Sequence, residues 1–306
     1  MTVALVTTDG PVLRAAGGDI DMEPLVEALA GAGVEVEVPV WHDPTVDWAA
    51  FELLVIRSTW DYSYRIGEFV PWLERVSEVA PLLNCPHLIR WNLDKSYLLE
   101  LAGHQVPVIA TEVAEAPSEV WPALSRVESD FVVVKPLVSA GARDTGLYRR
   151  DDPEAGELAL RIVVGGRKAA IQPAVASVAS KGEKALIFID GAFSHAVSKG
   201  PILSLGGGLR GGSYRETISA CQPTTDELAL AESASAVVAA IAGSWACGCR
   251  GVTPLLYSRY DVVEAEQAPL LLEAELFEPS LFLSSASGSA RRLAEAVAAR
   301  LAGGSG

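Results

Sequence analysis

The chain is short of basic charge. It sets 24 lysines and arginines against 39 aspartates and glutamates, a formal net charge of −15, and a nucleic-acid partner is argued against because phosphate-backbone binding needs a basic surface that releases counterions. A bound nucleotide needs only two or three well-placed cations. Cysteine is scarce too: Cys85, Cys221, Cys247 and Cys249 form no C-x-x-C pair and have no histidine at zinc-ligand spacing. The expectation is four reduced thiols. No uninterrupted apolar stretch reaches the ~18 residues of a membrane helix, and the first thirty residues lack a basic start followed by an apolar block. A cytoplasmic protein without a membrane partner is expected.

What is present is a well-filled globular composition, 50% hydrophobic and 21% charged over 306 residues, enough for two or three structural units. The opening alternates β-like and helix-like runs: Val3 to Thr7, Met22 to Ala32, Val34 to Val40 and Leu53 to Arg57. That order predicts a βαβ unit with a parallel sheet. Arg57-Ser58-Thr59-Trp60-Asp61-Tyr62 follows the third strand, where open α/β sheets bind ligands, so Arg57, Thr59, Asp61 and Tyr62 are substrate candidates. A helix over Ile66 to Val79 comes next, then Leu82 to Asn84, the run Leu88 to Trp91, and a helix from Lys95 to Ala102 stopped by Gly103.

From Phe131 the period changes. Phe131 to Pro136 reads as a buried strand carrying Lys135, followed by the small-residue loop Ser139 to Thr145; Ala169 to Gln172 is another strand. Ala185 to Ile189, the turn Asp190-Gly191 and Phe193 to Ser198 read as a hairpin. The glycine-rich stretch Gly200 to Gly212 has the composition of a functional lid or a connector. Thr225 to Ala242 is a long helix with Thr224 or Thr225 as its cap; Ala290 to Leu301 is the last helix, and 303–306 a frayed tail.

Two further β-like runs carry the densest charge. Arg259-Tyr260-Asp261 stands on one and Glu273-Ala274-Glu275 on the other, and alternation sends Arg259 with Asp261, and Glu273 with Glu275, to one face each. If the runs pair, three carboxylates converge with one guanidinium, a set that calls for cations and suits Mg²⁺. A charged solvent face on an edge strand is the plain alternative. Lys135, at the end of an apolar strand, needs an anion to offset its burial, and the loop containing Ser139 and Gly141 offers main-chain amides to phosphate oxygens. The main chain from Gln172 to Val175 is placed to pair with an adenine edge, and Glu183 to accept from a ribose.

The order of these residues, with Val133-Val134-Lys135-Pro136, Ile187-Phe188-Ile189-Asp190-Gly191 and Leu272-Glu273-Ala274-Glu275, resembles the ATP-grasp superfamily from about Asn84 to Ser284. It looks most like the branch holding bacterial glutathione synthetase and the D-cycloserine-forming cyclo-ligases. Arg57 to Tyr62, Arg90-Trp91-Asn92, Ser139 to Thr145 and Phe193 to Val197 look closest to the cyclo-ligase group. The resemblance implies an α/β (α+β) architecture, the ATP-grasp fold: an N-terminal parallel α/β domain over 1–85 and two α+β subdomains, 86–175 and 176–302, clamping ATP. It implies that Lys95 and Lys135 contact ATP phosphates, that the Gln172–Val175 hinge holds adenine and Glu183 the ribose, that Asp261, Glu273 and Glu275 bind one or two Mg²⁺, and that Arg259 meets a phosphate. Two positions depart from the pattern. Glu275 stands where many relatives have asparagine, and Ala185 where glutathione synthetase has a basic side chain, which leaves Lys199, Arg143 and Arg215 to meet phosphate charge.

The implied chemistry is phosphoryl transfer to a substrate carboxylate, giving an acyl phosphate and ADP, then attack by nitrogen. In the cyclo-ligase form both groups belong to one small amino-acid-like molecule, O-ureido-D-serine. Arg143 is the candidate to stabilise the oxyanion, and His195 a substrate residue whose place inside a strand equally fits a structural role. The competing readings are a two-substrate carboxylate–amine ligase and a nucleotide-binding regulator without turnover. Relatives of this kind commonly form homodimers.

Overall fold

Val3, Ala4, Leu5 and Val6 are completely buried in a computed structural model of the chain, which describes residues 2–209, 217–245 and 255–303. They belong to β1 (Thr2–Thr7), and burial on both faces is what a parallel sheet flanked by other layers requires. α1 (Gly10–Ala15) and α2 (Met22–Gly31) lead to β2 (Glu35–Glu37), shorter than the expected Val34 to Val40. β3 (Leu53–Ser58), α3 (Ile66–Val79) and β4 (Leu82–Leu83) complete a four-stranded parallel sheet of order β2-β1-β3-β4. One face is covered by an aromatic layer in which Trp41, Phe69 and Trp72 meet with ring centroids 5.3–5.7 Å apart.

The run Leu88 to Trp91 lies in a helix, α4 (Pro86–Leu93), and the helix start expected at Lys95 is corrected: Lys95 sits in the turn before α5 (Tyr97–Gly103). Pro86 at the first helical position and the extended Asp94 that ends α4 account for the shifted boundaries.

A second sheet, antiparallel and ordered β5-β8-β6-β7, is made of β5 (Glu112–Ala114), β6 (Phe131–Pro136), β7 (Gly146–Arg149) and β8 (Ala169–Pro173). α6 (Val120–Arg126) and α7 (Pro153–Val164) cover one face, packing Leu124, Ala159 and Ile162 on Val132, Val134 and Ile171. By alternation Val133 and Lys135 face the other way, and Gln172, opposite Val133, joins them. β5, β7, α6 and α7 have weaker sequence signals and were not anticipated.

The third sheet is antiparallel, of order β11-β10-β9-β12-β13. α8 (Val178–Lys181) leads into β9 (Glu183–Ile189), and the expected turn carries Asp190 and Gly191 at φ +52° and +74° into β10 (Ala192–Lys199). β11 (Ile218–Cys221) precedes α9 (Thr225–Ser244), where Thr224 Oγ1 accepts from the Glu227 amide and Glu227 reaches back to the Thr224 amide. β12 (Tyr257–Val263), β13 (Leu270–Glu275) and α10 (Ser289–Gly303) finish the chain. α9 is long and apolar enough by length and composition to cross a membrane, yet Leu230, Ala234 and Val238 pack here on Leu186, Tyr260 and Ala274. The opposite face of this sheet joins Ala185, Ile187 and Ile189 to α2, α10 and the parallel sheet in one core.

Cys221 is a free thiol, but Cys85 is disulfide-bonded, which corrects the expectation of four reduced thiols. Cys247, Cys249, Arg215 and the end of the glycine loop, 210–212, lie outside the described residues.

Candidate active site

β12 and β13 pair antiparallel with Arg259 opposite Glu275 and Asp261 opposite Glu273, so the four side chains share one face. β9 and β10 add Glu183 opposite Lys199 on that face. The apolar residues further along the same strands anchor the sheet, which leaves this polar end to face the cleft. The charges are tightly interlocked. Arg259 makes two 2.8 Å bonds to Asp261 and also binds Glu275. Lys199 Nζ lies 3.0 Å from Asp261 and binds Glu183. Burial alone would raise the Asp261 carboxyl, but Arg259 and Lys199 outweigh it and hold the group at about 2. Glu275 goes the other way: burial, with Glu273 and Asp261 adding to it against Arg259, pushes it up to about 7.

Across the cleft, Lys95 Nζ lies 3.0 Å from Glu273 and donates 2.8 Å to the Ser139 carbonyl. Lys135 is buried without an ion pair or hydrogen bond among the described residues, and burial lowers its pKa although Glu273 and Glu183 draw it upward. An ammonium so placed is stabilised by an arriving anion. Gln172 is buried and donates to Thr111 Oγ1 at 2.8 Å, so its side chain braces β8 while the chain continues to a half-buried Val175.

Two loops flank β7 (Gly146–Arg149). The first runs from Leu137 to Thr145 and places Gly141, Ala142 and Asp144 at positive φ. The second, the described part of the glycine loop, exchanges hydrogen bonds with β7: Leu147 donates to Gly207 at 2.9 Å and Gly206 to Leu147 at 2.8 Å. Arg143 stacks 3.6 Å over the Tyr64 ring and is thereby drawn to the N-terminal domain instead of to the carboxylate cluster.

The segment after β3 divides. Asp61 accepts from Trp41 Nε1 at 2.7 Å, and Tyr62 is buried against Phe277 with centroids 5.2 Å apart. Burial, then Glu278, Glu273 and Glu275, drive the Tyr62 hydroxyl well above its usual value, which puts it beside the acids. Arg57, expected to contact substrate, is deeply buried. It is 1% exposed, donates to the Pro279 carbonyl at 3.0 Å and lies over the Tyr257 ring, because the segment after β13 folds across the end of β3. His195, read equally as a substrate residue and as a structural one, contacts the main chain after β13. Its Nε2 faces the carbonyls of Leu281 and Phe282 at 2.9 and 3.2 Å, which only a donor satisfies, and Ser194 Oγ lies 2.9 Å from Nδ1. It pins β10 to the segment after β13.

Several residues escaped sequence reasoning. β13 is a sheet edge, and side chains complete its outer backbone: Tyr97 exchanges bonds with Ala274, Asn92 bonds Ala274 and Leu276, and Asn84 reaches Tyr257, Leu256 and Leu276, all at 2.6–2.9 Å. Asp21 accepts from the amides of Leu281, Phe282 and Leu283. Glu278 is buried, and burial followed by Glu275 raises it well above the usual range. Asn84 and Asn92, polar residues beside apolar runs, were the available signal.

A curated protein of Streptomyces lavendulae described as "Cycloserine biosynthesis protein DcsG" is 39% identical over 293 residues, spanning 92% of this chain and 94% of that protein. The chain belongs to the DcsG family of D-cycloserine synthetases. The model for the N-terminal domain of D-cycloserine synthetase DcsG matches residues 3–84, and a crystal structure of D-cycloserine synthetase DcsG is 37% identical with a TM-score of 0.88, covering 98% of this chain and all of that one. The fold is ATP-grasp. A RimK domain ATP-grasp protein from Sphaerobacter thermophilus superposes with a TM-score of 0.67 at 17% identity, over 97% of this chain and 99% of that one. A D-alanine–D-alanine ligase from Bacillus anthracis, solved with ATP, superposes with 0.67 at 11% identity over the whole of both chains.

Among the described residues no group of three or more histidine, cysteine, aspartate or glutamate side chains is arranged to hold a metal ion, since each acid is held by a lysine or arginine. The donor chemistry nevertheless fits Mg²⁺. Asp261, Glu273 and Glu275 offer hard carboxylate oxygens on one face, and the raised Glu275 and Glu278 mark more negative charge than the local cations offset.

Proposed function

We propose that the chain is an ATP-dependent ligase that closes O-ureido-D-serine to D-cycloserine. The observation that carries the reading is the β12–β13 register, which gathers Asp261, Glu273, Glu275 and Arg259 opposite Lys95 and Lys135 in a protein 39% identical to a cycloserine biosynthesis protein. Lys95, and Lys135, which is unpaired among the described residues, bind ATP phosphates. The main chain from Gln172 to Val175 meets the adenine, and Glu183 the ribose. Asp261, Glu273 and Glu275 would hold Mg²⁺, which supplies charge neutralisation for the triphosphate.

The substrate carboxylate attacks the γ-phosphorus, forming an acyl phosphate and releasing ADP. Arg259 and Lys199, fixed by their carboxylate partners, carry fixed positive charge toward the phosphoryl oxygens. The oxygen-bound ureido nitrogen then attacks the acyl carbon, phosphate leaves, and hydrolysis of the carbamoyl group with one water gives carbon dioxide and ammonia. Ring closure needs the two ends of one molecule held in register, and the loops over Leu137 to Thr145 and Gly206 to Gly208 exclude water while the acyl phosphate exists.

The test is a mass-spectrometric assay with ATP, Mg²⁺ and O-ureido-D-serine as sole amine. Stoichiometric ADP and D-cycloserine support the reading; ADP only upon addition of a second amine makes the enzyme an intermolecular ligase.

A further inference from the structure

The carboxyl ends of β1 and β3 lie side by side where the parallel sheet changes direction, since the chain passes from β1 outward to β2 on one side and from β3 to β4 on the other. Ligands of open α/β sheets bind in the crevice at such a point. Three segments meet there. Thr8 donates its amide to Ser58 at 3.1 Å, Trp41 donates to Thr7 at 2.9 Å, and Thr7 Oγ1 and Ser58 Oγ are 2.7 Å apart, so Thr8-Asp9, Trp41-His42 and Thr59-Asp61 stand together.

Among the described residues, buried polar atoms at this point lack a hydrogen-bond partner. Thr8 and Thr59 are 1% and 0% exposed, and both hydroxyls lack a hydrogen-bond partner, as does the buried His42 Nε2. His42 Nε2 lies 3.8 Å from Asp9 and 3.8 Å from Asp61, too far for direct hydrogen bonds and close enough for both acids to share a ligand with it. Buried polar groups are ordinarily satisfied, so unmet ones grouped at a ligand-binding position point to a ligand. Asp9 and Asp61 bring two negative charges against Arg65, whose guanidinium is 3.5 Å from Asp61. The local surplus is negative and selects a cation.

We propose that this crevice is the subsite for the α-ammonium group of the substrate. Asp9 and Asp61 supply the countercharge, while His42 Nε2 and the hydroxyls of Thr8 and Thr59 accept the ammonium hydrogens. The assignment rests on an amino-acid substrate, as in the function proposed above, and it makes His42 and Thr8 specificity residues for that substrate.

The test compares O-ureido-D-serine with the same compound carrying hydrogen in place of its amino group, using both equilibrium binding and ADP release in the presence of ATP and Mg²⁺. Wild type is expected to prefer the amino compound by at least about 100-fold. His42→Gln, Asp61→Asn and the isosteric Thr8→Val should each reduce that preference about tenfold or more, through weaker binding of the amino compound, with KM for ATP and affinity for the desamino compound unchanged. Equal losses on both compounds, or no preference in wild type, would overturn the subsite. A chain that binds the amino compound selectively but forms no cycloserine would sink the cyclisation reading and leave the subsite standing. A variant that fails to fold is replaced by either of the other two.

Discussion

Lys95 Nζ sits 3.0 Å from a carboxylate oxygen of Glu273 while donating 2.8 Å to the Ser139 carbonyl, joining the acidic face of β13 to the loop that follows Lys135. Burial would raise Glu273, yet Lys95 and Lys135 together keep it below the usual carboxylate range, so it is charged at neutral pH. Glu273→Gln removes that charge at nearly constant volume. ADP formation should fall by at least about 100-fold, the scale for losing one preorganised electrostatic group, while ATP binding by calorimetry persists. Near-normal turnover would remove Glu273 from the machinery.

The side chains that seal the edge of β13 make a separate prediction. Asn92 bonds the Ala274 carbonyl and the Leu276 amide at 2.8 and 2.9 Å, flanking Glu275. Asn92→Ala leaves the buried Leu276 amide unpaired, while the Ala274 carbonyl keeps the Tyr97 hydroxyl as donor, and should destabilise the protein by about 1–3 kcal/mol, the scale for one unmet buried group. Chemical denaturation measures the loss. The kcat should fall as well, since Glu273 and Glu275 lose their fixed strand.

Arg143 stacked on Tyr64 latches the small loop to the N-terminal domain. A contact of this kind at a partly exposed site contributes about 0.5–1 kcal/mol, enough to change how often the loop opens but not to unfold it. Arg143→Ala should therefore raise the ratio of ADP released to cyclised product, as water reaches the acyl phosphate. A ratio unchanged from wild type counts against the latch.

His195 gives a pH dependence of stability. Burial lowers its pKa below the ordinary ~6.5 although the Leu281 and Phe282 carbonyls pull upward. The folded protein thus keeps the ring neutral where the unfolded chain has begun to bind a proton, and stability is lost as pH falls below ~6.5 toward the lowered value. Thermal melts from pH 7.5 to 5.5 should show the Tm advantage of wild type over His195→Gln narrowing on acidification. A constant gap would contradict the neutral, buried ring.

Much of this was legible in the residue order. The parallel start, the β9–β10 turn and the shared face of Arg259, Asp261, Glu273 and Glu275 follow from alternation and turn chemistry, which act over a few residues. What escaped depends on distant segments meeting. Arg57 reads as a loop-facing side chain until the segment around Pro279 folds over it, and His195 becomes a pin only because Leu281 presents a carbonyl. Asn84, Asn92 and Tyr97 serve a strand more than 170 residues away. α4 and the turn at Lys95 were missed for a local reason: Pro86 starts a helix that hydrophobic periodicity over eight residues is too short to announce.

The central claim is that a carboxylate is activated by phosphoryl transfer and captured within the same molecule. O-ureido-D-serine labelled with ¹⁸O in both carboxyl oxygens, incubated with the enzyme, ATP and Mg²⁺ as the only other reactants, tests it directly. The account expects one ¹⁸O in the released phosphate and one retained in D-cycloserine at each turnover. Unlabelled phosphate, or no product until a second amine is added, would contradict it.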